Sequence, residues 1–102
     1  MIEFKTVTEG QVLTLKILGR IDNEGIQTFQ DKLSEIAGLE FKTLFLDLSG
    51  LEFINSSGIG KLLLFIKKAK NLGKETEIKG ISNDIFTLFK AIRLDKIIAI
   101  EK

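Results

Sequence analysis

Cysteine, histidine and proline are all absent from this chain of 102 residues, and each absence excludes something definite. Without cysteine there can be no disulfide, thiolate ligand or thiol nucleophile, and a reducing compartment is compatible without being required. Without histidine the chain lacks the usual general base, the commonest zinc ligand and any Ser/His or Cys/His arrangement. With no proline, the nine glycines supply most of the punctuation, and no polar linker, repeat or low-complexity stretch intervenes. Charge of one sign is not in excess either: 15 basic and 14 acidic residues are spread along the chain, which argues against a basic face for nucleic acid. The densest basic cluster, Lys67-Lys68 with Lys70, reads as the solvated side of a helix. No apolar run approaches the roughly 20 residues that span a bilayer, and MIEFKTVTEG lacks the basic and apolar regions of a leader. The expectation is one soluble, cytoplasmic domain over residues 1–102, with no cofactor, metal or direct membrane insertion.

What is present is an alternation of strand and helix periods. Ile2–Thr8 and Gln11–Leu18, separated by Glu9-Gly10, carry apolar residues at period two, with Leu13, Leu15 and Ile17 on one side and Val12 on the other. These segments are predicted to form an antiparallel hairpin. From Asn23 to about Ala37, apolar residues at Ile26, Phe29, Leu33, Ile36 and Ala37 recur at helical spacing, and Gly38 marks the end. Thr43–Ser49 is predicted as the central strand. A long helix is predicted from Ser57 to Leu72, with Ile59, Leu62, Leu63, Ile66 and Ala69 on one stripe and Gly73 as its stop. Glu75–Lys79, Ser82–Arg93 and Ile97–Ile100 then read as strand, helix and strand. The fold class is α/β: a mixed, mostly parallel sheet with an N-terminal antiparallel hairpin and helices packed on it.

Loops that bind gather outside the carboxyl ends of parallel strands. Asp22, the Asn55–Gly58 turn and Ser82–Asp84 all follow strands, so the topology can bring them to one pole. The run Leu44–Gly60, LFLDLSGLEFINSSGIG, is the most informative of the three. It reads as a buried strand, a short turn and a helix start bearing two adjacent hydroxyls. Free N–H groups and the positive end of the dipole favour anionic oxygen there by about 0.3–1 kcal/mol when exposed. Ser56 and Ser57 can each serve as a helix cap, a phosphoacceptor, or both.

This run resembles the signature of STAS domains, and most closely that of bacterial anti-sigma factor antagonists, whose phosphorylated serine follows an acidic or amide residue in a D/N-S-S/T-G turn. Gly19-Arg20-Ile21-Asp22 and Ile81-Ser82 leading to Leu88-Phe89 extend the resemblance over essentially the whole chain. It implies that Ser56 is the phosphoacceptor and leaves Ser57 as the cap or supporting hydroxyl. Asn55 stands where the phosphorylated antagonists more commonly have aspartate; it can still cap or order the turn by side-chain hydrogen bonding but supplies no negative charge. The implied partner surface comprises Asp22, Asn55, Ser56, Ser57, Gly58, Ile59 and Gly60, with Leu64 and Phe65 on the following helix. The implied partners are an anti-sigma factor with serine kinase activity, which itself binds ATP and Mg²⁺, and a phosphatase acting on the phosphoserine. A different implication is an accessory STAS module, without phosphorylation, beside a transporter or in a signalling complex.

Other readings of the same residues are weaker. Asp22 and Asp47 could be mistaken for a carboxylate pair performing acid/base chemistry, as in a small hydrolase or transferase, but Asp22 more simply opens the loop before a helix. Asp47, within an apolar strand, needs hydrogen-bond donors if buried, and by resemblance both lie near the partner-facing pole. Gly58-Ile59-Gly60-Lys61 fails as a phosphate loop, which requires glycine at position 55 and Ser or Thr at 62, where Asn55 and Leu62 stand. The two glycines fit tight turning and close approach of helix to strand instead. Leu64, Phe65 and Leu72 fall off the main helical stripe, as Phe86 does on the next helix; each is either an exposed apolar contact or covered by a neighbour.

Overall fold

A computed structural model describes residues 1–102. The chain opens with β1 (Ile2–Glu9) and β2 (Val12–Ile21), paired antiparallel with Glu9 opposite Val12. Gly10 turns this hairpin at φ 60°, a left-handed conformation in which a side chain would be strained. There follow α1 (Ile26–Ala37), β3 (Thr43–Ile54), α2 (Ser56–Asn71), β4 (Glu75–Ile81), α3 (Asn83–Ala91), a 3-10 turn at Leu94–Lys96, and β5 (Ala99–Glu101). The sheet order is β1-β2-β3-β4-β5, with every pair after the first parallel. This is the expected fold class.

Three successive crossovers step across the sheet in one direction, so their common right-handedness puts all three helices on the same face. The alternation along the strands records this. Leu13, Leu15 and Ile17 of β2 and Leu44, Leu46 and Leu48 of β3 are buried beneath the helices, with Phe29, Ile36, Leu62, Ile66 and Phe89 opposing them. On the other face Thr14, Lys16, Phe45 and Asp47 stay half exposed. The short edge strand β5 is held in part by an exposed pair, Lys79 Nζ to Glu101 Oε2 at 2.7 Å, and that hydrogen bond raises the Lys79 ammonium above its ordinary pKa.

Several boundaries differ from the predicted ones for physical reasons. The strand expected to stop at Ser49 continues to Ile54 because β3 accommodates a bulge. Asp47 Oδ1 accepts from Ser49 N (3.0 Å) and Ser49 Oγ (2.6 Å), and after it the buried positions become Leu51 and Ile54. The period-two pattern therefore breaks while the strand does not. Across from it, Gly80 has φ 99° and its missing Cβ would lie 2.9 Å from the Asp47 carboxylate. Asp47 thus sits in the middle of β3 on the open face, serving the bulge, and not at the pole where resemblance had put it.

The first helix begins at Ile26 instead of Asn23, because Asp22 organises residues 23–25 as a turn. The third ends at Ala91, where Arg93 takes a left-handed φ of 63° and the chain re-enters a 3-10 turn. The second ends as its glycine suggested. Gly73 adopts φ 77°, its N–H bonds Lys70 O, and Lys74 N–H bonds Ala69 O, the paired bonds of a Schellman stop.

Candidate functional site

The carboxyl ends of β2 and β3 meet at one pole, and two loops interlock there. After β2, Asp22 Oδ1 accepts from Glu24 N (3.2 Å) and Gly25 N (3.1 Å), closing a turn on itself before α1. After β3, Asn55 N–H bonds the Ile21 carbonyl at 2.9 Å. Its side chain then acts twice. Oδ1 accepts from Gly58 N at 2.8 Å, the N-cap bond of α2, and Nδ2 donates to Asn23 Oδ1 at 3.1 Å. The cap is therefore Asn55, the capping role open to an asparagine there, and not Ser57. Asn23 was not among the expected site residues; its only signal in the sequence was its place beside Asp22, since a pairing 32 residues apart has no local signature.

With the cap supplied by Asn55, both serine hydroxyls are free of that duty. Ser56 and Ser57 occupy the first two helical positions and are exposed. Their own N–H groups have no carbonyl four residues back within the helix. Gly58 is buried, and a Cβ there would lie 2.7 Å from Ile21 Cγ2 and 2.8 Å from Ile54 Cγ1. Only glycine lets the first turn of α2 rest on the ends of both strands, which is the close approach expected of it. Gly60 is different. It is exposed with nothing within 4 Å of an added Cβ, so close packing within this chain does not explain it. Ile59 is half-buried against the core.

One turn further on, the two apolar candidates separate. Leu64 is 60% exposed, whereas Phe65 is 7% exposed and joins Gly58, Leu62, Ile66 and Ala69 on the inward face of α2. Phe65 is a core residue and cannot form an exposed patch with Leu64. Leu72, at the C-cap, is exposed, and Phe86 is half-buried against the core.

A charged cluster flanks the pole. Arg20 pairs in register with Phe53 and places its guanidinium 4.6 Å from the ring centre, with Nε 3.8 Å from Asp22 Oδ2. Ser82, which precedes α3, sends its hydroxyl to the Leu51 carbonyl at 3.2 Å, tying the third loop to β3. Asp22, in the loop after β2, and Asp47, inside β3, are each engaged with the backbone beside them, so they do not form a carboxylate pair. No helix is long and apolar enough to cross a membrane.

The architecture is that of an α/β domain presenting a capped serine turn at the carboxyl pole of its sheet. The STAS domain model matches residues 3–102, and the chain belongs to that family. An anti-sigma factor antagonist from Mycobacterium paratuberculosis superposes with a TM-score of 0.80 at 21% identity, over 98% of this chain and 85% of the other. The anti-sigma factor antagonist SpoIIAA in its unphosphorylated form gives 0.77 at 17% identity, over 98% and 89%. The Bacillus cell fate determinant SpoIIAA in its phosphorylated form gives 0.71 at 17%, over 98% and 92%. These likenesses are of fold.

Proposed function

We propose that this protein is an anti-sigma factor antagonist that works by partner switching in the cytoplasm, with no catalytic activity of its own. In this reading its unphosphorylated form docks through Asp22, the Asn55–Gly60 turn and the exposed side of α2 onto an anti-sigma factor that is also a serine kinase. Docking frees the sigma factor, phosphorylation of Ser56 ends it, and a phosphatase restores the binding form. ATP and Mg²⁺ belong to the partner. The supporting observation is the division of labour in the turn: Asn55 holds the helix end, so the exposed Ser56 hydroxyl is not needed for the fold. Family membership and the antagonists among the structural neighbours support the same reading.

The switch then follows from electrostatics. A phosphate on Ser56 adds about −1.5 to −2 charges at a helix N-terminus, where the dipole tolerates negative charge, so the fold survives. The change falls on the docked partner as repulsion and bulk. A loss of about 2.7 kcal/mol weakens binding a hundredfold. Calorimetric titration of the cognate anti-sigma factor with wild type and Ser56→Asp tests this. A large loss of affinity with unchanged thermal unfolding supports the switch; equal affinities refute it. Absence of phosphate on Ser56 together with co-purification of a transporter ATPase would instead indicate an accessory module.

A further inference from the structure

A second surface begins about one turn beyond the serines and runs along the seam between α1 and α2. Two adjoining hollows share Ala37, Phe65 and Lys68 and run from Gln30 and Lys61 at one end to Phe41, Leu72 and Lys74 at the other. Its lining is apolar toward Phe41 and Leu72 and mixed, with Gln30 and Ser34, at the other end, and its exposed wall carries Leu64 and Leu72, 60% and 68% exposed. Eight residues at about 1.5 Å each put them roughly 12 Å apart, the spacing of side chains two turns apart on a partner helix.

The charge of the seam is one-sided. Across its whole length α2 carries Lys61, Lys67, Lys68 and Lys70 and no carboxylate. Lys61, Lys68 and Lys74 line the seam, and no acidic side chain does. The carboxylates of α1 are engaged on their own helix, Asp31 with Gln27 and Glu35 with Lys32, and Glu40 lines the neighbouring hollow with Gln11 and Lys42. Exposed leucines between lysines, along a trough parallel to a helix axis, suit one kind of occupant.

We infer that the α1–α2 seam docks an acidic amphipathic helix of a protein partner, its apolar side chains resting against Leu64 and Leu72 and its carboxylates facing Lys61 and Lys68. This site shares Leu64 and the exposed side of α2 with the docking surface proposed above, and differs from it in not depending on phosphorylation of Ser56.

The test uses the full ¹⁵N-labelled chain and a synthetic acidic helical peptide of about 16 residues, the length of α2, with leucines at i, i+4, i+7 and i+8. Chemical-shift changes confined to Ala37, Leu64, Lys68, Leu72 and their neighbours are expected. The dissociation constant should rise at least tenfold in Lys61→Glu/Lys68→Glu and in Leu64→Ala/Leu72→Ala, and several-fold between about 0.05 M and 0.5 M salt. Ser56→Asp should leave it unchanged. Absence of shifts at the seam, equal binding of a peptide with lysine in place of every glutamate, or loss of binding in Ser56→Asp would each overturn the inference.

Discussion

Asn55 Nδ2 lies 3.1 Å from Asn23 Oδ1, so one side chain both caps α2 and ties the β3–α2 turn to the β2–α1 loop. The amide supplies both halves of that role, the acceptor through Oδ1 and the donor through Nδ2. An aspartate keeps the acceptor for Gly58 N–H and loses the donor to Asn23; alanine loses both. Asn55→Ala should therefore cost about 1–2 kcal/mol in urea unfolding, and Asn55→Asp well under half as much. Equal losses for the two variants would show that the cap bond contributes nothing.

The two glycines of the turn should respond in opposite directions. Gly58→Ala drives a methyl into Ile21 and Ile54 and should destabilise the chain by about 1–3 kcal/mol. Gly60→Ala meets open space in an exposed helical position and should stabilise it by about 0.5–1 kcal/mol. Thermal unfolding of the pair decides both. Should Gly60→Ala also weaken partner binding, the bare backbone at that position serves docking.

Adjacent residues on α2 offer a sharper contrast. Phe65 lies in the core, so Phe65→Ala should cost about 3–5 kcal/mol, whereas Leu64→Ala should stay within about 0.5 kcal/mol of wild type. Comparable effects in equilibrium denaturation would contradict the assignment of inward and outward faces.

Arg93 is the only residue other than glycine with positive φ, at 63°, directly after the C-cap of α3. Glycine takes this conformation without the steric cost borne by a side chain. Arg93→Gly should raise the unfolding free energy by about 1 kcal/mol, offset in part by the entropy glycine adds to the unfolded chain. A loss of stability would mean that the arginine makes a compensating contact.

Much of this architecture was legible because its signals are local. The hairpin, the parallel strands and the stops of the first two helices follow from periods of two and 3.6 and from Gly38 and Gly73. What was hidden depends on partners distant in sequence. Asp47 looked like a buried charge seeking donors, but the bulge that Ser49 and Gly80 permit is visible only when β3 and β4 are aligned. Phe65 fell outside the first stripe drawn for α2, because Leu63, Leu64, Phe65 and Ile66 are all apolar and their order alone does not choose the buried pair. That the Asp22 loop and the Asn55–Gly58 turn meet at one pole was legible from the topology. Asn23 was not, since its role exists only once the two loops meet.

The central claim concerns Ser56, and it is tested most directly by covalent chemistry. The protein would be incubated with ATP, Mg²⁺ and each kinase-type anti-sigma factor of its own genome, and any added phosphate mapped by peptide mass spectrometry. The account predicts phosphate on Ser56 from one of them and none on Ser56→Ala. Phosphate on Ser57 alone, or none from any of these kinases, would contradict it.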